Sequence, residues 1–189
     1  MENYLIIIFI LFLGVMYFIY SGLINKKNEV LEAISGIDVQ FQRRADVIPN
    51  LLKLASKYMS HEKNLFSEIV ELRNSSVSKY DNANPEQVKE HINVENKLTD
   101  SLGTLRMSFE NYPELKSDGP IENAMSELAE IEANISAARR FYNDNVTNLN
   151  NAVETFPSSV LATSLKIKQY PYFETTEENR KPIDVSDYI

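Results

Sequence analysis

The sequence predicts an all-α protein: an N-terminal transmembrane helix followed by an antiparallel up-and-down four-helix bundle. Three observations point there. An uncharged apolar run opens the chain, apolar residues then recur every three or four positions, and only 5 glycines interrupt 189 residues. Alternating strand-like runs are almost absent, and Ala, Leu, Glu, Lys and Asn dominate the middle, as helices prefer. The formal charge of −8 argues against nucleic acid as a partner, because such binding neutralises phosphates with basic side chains. With 0 cysteines there is no disulfide, thiolate metal site or cysteine nucleophile.

The first element is the run from Tyr4 to Ile24. As a helix it rises about 30 Å, the thickness of a bilayer's hydrocarbon core. Tyr4 at one end and Tyr17 and Tyr20 at the other suit the lipid–water interface. A cleaved signal peptide fits poorly, since Glu2 is the sole charge before the run and no small-residue cleavage site follows. Lys26 and Lys27 come next, so the positive-inside rule expects a short N-terminus outside and the C-terminal domain in the cytoplasm. The expected layout is a single-pass anchor with its basic flank at 1–27, a helical bundle at 28–157 and a C-terminal segment at 158–189. Residues 4–24 take the lipid bilayer as their partner.

The bundle helices follow from their stripes. Val30, Ile34, Ile37, Phe41 and Ala45 give the first, and Pro49 then interrupts it. A proline removes a backbone donor and disfavours helical angles at the residue before it. The chain is therefore read as breaking there, with a second helix starting at Pro49 and running to about Arg73. The alternative is three long helices with a kink at Pro49, supported by the unbroken apolar phase of Ile48, Leu52, Ala55 and Met59. Residues 74–85 form a polar loop ending in Asn84 as N-cap and Pro85 at the first helical position. Val88, Ile92, Leu98, Leu102, Leu105 and Phe109 form the third stripe, and Ser117–Pro120 a second loop.

In the last helix Ile121, Leu128, Ile135, Tyr142, Leu149 and Phe156 step by seven, a coiled-coil-like seam that needs partners along its length. Phe156-Pro157 ends it. SSVLATSLKIK (158–168) fits a further short helix, and the tail from Gln169, YPYF and then an acidic run, is expected to be extended or disordered. Counting helical rise from the distal end of an up-and-down bundle brings Glu68 or Glu71 level with Arg139 and Arg140, one glutamate approaching an arginine directly or across a neighbouring helix.

Two polar constellations remain. The first is Arg43, Arg44, Asp46 and Asn50. Beside a break at Pro49, Asp46 caps the second helix and the arginines meet carbonyls at the end of the first. The alternative is a surface that grips carboxylates or lipid phosphate through bidentate arginine contacts. The second is Arg139, Arg140, Tyr142, Asn143 and Asn145. With Asn145 on the apolar flank and Arg139 bordering it, they read as a buried polar group fixing register, or as a cleft between helices. No catalytic, cofactor-binding or metal-ligating set is read. His61-Glu62 opens like a zinc-protease motif, but Leu65 stands where the second histidine is needed, and His91 is the one other histidine. The expectation is a protein that is not an enzyme.

The order of several segments resembles the LemA family of bacterial membrane-anchored proteins. They are the apolar anchor, GIDVQFQRRADVIPNLLKLASKYMSHEK (36–63), NYPELK (111–116), AARRFYNDNVTNLNNAVETFPSSV (137–160) and PYFE (171–174). The resemblance covers nearly the whole chain. It implies a membrane helix and a cytoplasmic helical bundle in a bacterial cell membrane, and no enzymatic activity. The association of such genes with membrane proteases implies a role in envelope quality control. Residues 161–168, LATSLKIK, are more polar and basic than the apolar stretch the family pattern implies, so no membrane contact is expected of them. The expected function is a protein-interaction module for other membrane or envelope proteins. The alternative is an oligomeric scaffold that self-assembles through its helices.

Overall fold

The computed structural model describes residues 2–116 and 118–174; the acidic part of the tail, 175–189, lies outside the described residues. Helix α1 runs unbroken from Glu2 to Ala55, with Pro49 inside it. The expected break at Pro49 is therefore corrected, and the reason is visible. Pro49 sits on the exposed face while Ile48 and Leu52 face the core, so its ring meets solvent. Proline cannot donate to the carbonyl four residues earlier, that of Ala45. Arg73 Nε of the next helix donates to that carbonyl instead, at 3.0 Å. The kinked alternative also misplaced the end of the helix, which stops at Ala55 instead of continuing to Arg73. Residues 56–62 then fold through tight turns, with Met59 N donating to Ala55 O at 3.0 Å and the Met59 side chain fully buried.

Helix α2 covers Lys63–Ser76 and α3 Pro85–Ser108. Asn84 caps α3 as expected, its side chain accepting from Glu86 N at 3.1 Å. A 3-10 turn (Phe109–Asn111) and the one-turn helix α4 (Pro113–Lys116) lead to the long α5, Gly119–Glu154. A short α6, Ser158–Ser164, packs on both α5 and α1.

The four packed helices are α1, α2, α3 and α5. Residues 23–41 of α1 share one buried cluster with 131–149 of α5, and 48–55 share a second with 121–128, so α1 and α5 run antiparallel. Between α2 and α3, Ser101 Oγ donates to Glu68 at 2.9 Å and Ser76 Oγ to Glu95, so these helices are antiparallel too. That pairing also brings Glu68 and Arg139 to the same level across α3, without a direct contact between them. Glu68 faces α3, while Arg139 reaches Thr99 Oγ1 at 3.4 Å. Two apolar clusters result: a proximal one carrying Leu23, Val30, Ile34 and Phe41, and a distal one carrying Ile48, Leu51, Ala55 and Met59.

Residues 3–15 of α1 stand clear of the bundle, all exposed. By length and composition α1 is apolar enough to cross a membrane, with a mean hydropathy of 2.5 in its most apolar window. The heptad seam of α5 is buried from Ile121 to Leu149, but Phe156, beyond the helix end, is 78% exposed.

Candidate functional site

A charged layer separates the two clusters, and Arg44 is its centre. It lies on the inward stripe of α1 between Phe41 and Ile48, with no exposed surface. Its Nη2 donates to Glu95 Oε2 of α3, and its Nη1 donates to Glu132 Oε1 of α5 at 2.7 Å and to Thr99 Oγ1 at 2.8 Å. The guanidinium also lies over the Phe41 ring, 5.3 Å from its centroid. Glu95 is equally buried and accepts from Ser76 Oγ of α2. One arginine thus ties α1 to α3 and α5, and its carboxylate partner extends the link to α2. The arginine fork does grip carboxylates, but they belong to the same chain.

Arg139 is the second cation of this layer. It lies over the Phe173 ring at 5.1 Å, and burial, followed by the like charge of Arg44, lowers its pKa. On the other side of Glu95, His91 Nε2 stands 3.6 Å from Glu95 Oε1 and 3.7 Å from Asp38 Oδ1. Tyr80 stacks on the His91 ring at 4.2 Å and donates to Asp38 at 3.0 Å. Burial holds His91 below its ordinary pKa and pushes Asp38 up to about 6, against the lowering effect of the Tyr80 hydrogen bond.

The other sequence candidates fall elsewhere. Arg43, Asp46, Asn50 and Arg140 are exposed. Asp46 caps no helix, because α1 is continuous there; it accepts from Gln42 Nε2 at 2.9 Å. Asn145 is buried but donates to Phe141 O of its own helix at 2.9 Å.

Tyr142 and Asn143 hold the chain's own tail. Residues 167–174 run extended along α5, with Ile167, Tyr170 and Phe173 buried. Tyr142 Oη donates to Pro171 O at 2.7 Å. Asn143 donates to Phe173 O and accepts from Phe173 N, both at 2.9 Å. Asn150 makes the same pair with Tyr170, both at 3.0 Å. Seven residues along a helix span about 10.5 Å, and three residues of extended chain span about 9 to 10 Å. The two asparagines are therefore spaced to satisfy every third residue of the strap. Burial at 167, 170 and 173 around Pro171 is a period-three pattern, the sequence signal by which this strap could be found.

A groove lies open between α3 and α5. Leu102, Leu128 and Met125 line its apolar part, with Arg106, Glu122 and Glu132 among its polar residues, around about 570 Å³. It continues into a hollow of about 420 Å³ at the distal tip, lined by Phe109, Leu115 and Ile121.

Comparison with known proteins adds a family. A model of the LemA family matches residues 33–186. The chain is 30% identical over 190 residues to Protein LemA of Metamycoplasma hominis, covering 97% of this chain and 84% of that protein. It is 24% identical to Magnetosome protein MamQ of Magnetospirillum gryphiswaldense, over 87% of this chain and 68% of that one. Magnetosome protein MamQ 2 of Paramagnetospirillum magneticum is 23% identical, over 91% and 71%.

Proposed function

The chain belongs to the LemA family, and from that premise we propose that it is a membrane-anchored, cytoplasmic docking module for other membrane or envelope proteins, acting in envelope quality control. The observation that carries this reading is the groove between α3 and α5. The arginine layer is consumed by internal partners, whereas this groove lies open to solvent along Met125, Ser126 and Ala129, above the buried Leu102 and Leu128. From Ile121 to Glu132 it runs about 16 Å along α5, room for three helical turns. Arg106 stands on α3 and Glu122 on α5, so an entering helix meets opposite charge on its two flanks. The proposed occupant is an amphipathic helix of a second protein, laid in by its apolar ridge.

A photo-crosslinking residue at Ser126, in the groove, tests this in the full chain in its membrane, with Val39 on an exposed α1 position as control. The expected result is capture at Ser126 and not at Val39, with mass spectrometry mapping the joined peptide to an amphipathic helix of another membrane protein. Capture of this chain by itself would establish the self-assembling scaffold instead. Equal capture at both positions would overturn the groove as the docking site.

A further inference from the structure

The proximal end of the bundle carries a cluster of exposed apolar side chains. Phe156 is 78% exposed, Val160 57% and Leu165 41%, three apolar side chains within ten residues of one another. They stand on the turn after α5, on α6 and at the end of α6. Packing places them beside the base of the apolar run. Ala162 of α6 and Leu23 of α1 are buried in the same cluster, and α6 packs directly on α1. Burial along the α1 seam does not stop at Leu23. Ile19 and Met16, one and two turns further into the apolar run on the same face, are half-buried, whereas residues 3–15 are all exposed. The packed end of the bundle therefore overlaps the stretch read as spanning the bilayer.

We propose that the Phe156 turn and α6 seat in the bilayer interface beside the span, a second lipid contact made by the bundle itself. The claim rests on the reading that residues 4–24 cross the membrane. Charge supports lipid as the occupant. Lys166 and Lys168 follow α6 on exposed positions, and Lys26 and Lys27 lie on α1 just past Leu23. Among the described residues none of the four makes an ion pair, which leaves them for anionic headgroups. An apolar side chain flanked by lysines at the headgroup boundary is the composition of interfacial segments. The polarity of LATSLKIK, which argued against membrane contact, is resolved by geometry: its inward positions Ala162 and Ile167 are buried, and Val160 and Leu165 face outward with the lysines.

The test uses the full chain in vesicles of phosphatidylcholine and phosphatidylglycerol, with single cysteines introduced into a chain that has 0. An environment-sensitive fluorophore is placed in turn at Ile8, Val160 and Ser78, and lipids with spin-labelled acyl chains are the quencher. Ile8 and Val160 should be quenched and Ser78 should not. Quenching at Ile8 with Val160 as unquenched as Ser78 overturns this inference alone. No quenching at Ile8 overturns the span on which it rests. Combining Phe156→Ser with Leu165→Ser should cut quenching at Val160 about threefold. Both side chains are exposed, so the thermal midpoint should hold; unchanged quenching at Val160 would show that they do not seat the bundle.

Discussion

At the residue scale the structure turns on Arg44. Its pairing with Glu95 removes both charges from water, and that desolvation is offset only while each partner is present. Replacing Arg44 by Met leaves the buried Glu95 carboxylate without its arginine, and is expected to cost about 3–5 kcal/mol. Arg44→Met combined with Glu95→Leu should recover most of that loss, because an apolar pair needs no compensation. Urea unfolding of the full chain in detergent measures both. A double variant as unstable as the single one would show that the pair is not the seat of the cost. The sequence showed where these residues lie but not what they meet. Arg44 follows Phe41 by three, and Glu95 follows Ile92 by three, so each sits on its helix's inward stripe. A charge on such a stripe signals a buried partner, but the partner stands 51 residues away on another helix, beyond the reach of local periodicity.

At the element scale, α1 was readable as amphipathic from Val30 to Ala55, and the unbroken apolar phase across Pro49 was the better guide than the proline itself. What propensity could not supply was Arg73, whose donor replaces the missing one at Ala45 O. This gives the two residues a measurable coupling. Arg73→Met strands that carbonyl and should destabilise by about 1–2 kcal/mol. In a Pro49→Ala background residue 49 can donate to Ala45 O itself, so the same change should cost less, with a coupling of about 1 kcal/mol in a double-mutant cycle. Additive effects would mean that Arg73 acts elsewhere. The strap escaped the sequence reading for a related reason. Its backbone groups are satisfied by Asn143 and Asn150, side chains that read as ordinary polar helix positions until the spacing of the two segments is compared.

At the scale of the whole molecule, the long apolar N-terminal helix and the four packed helices were legible from the apolar run and the stripes, while the turn at 56–62 was not, since its residues carry neither glycine nor proline. The sidedness proposed from Lys26 and Lys27 has a direct check. A cysteine at the exposed Ser78 should resist a membrane-impermeant thiol reagent in intact cells and react after lysis. Labelling in intact cells would place the bundle on the opposite side. The continuity of α1 has a mechanical consequence as well. From Leu23 to Ala55 the helix extends about 50 Å with no joint between the apolar run and the distal tip. A change of about 20° in the inclination of the apolar segment would sweep that tip sideways by roughly 17 Å. The bundle is thus a pointer whose bearing is set at its base, so local bilayer thickness would become a lateral position at the far end, where the groove opens.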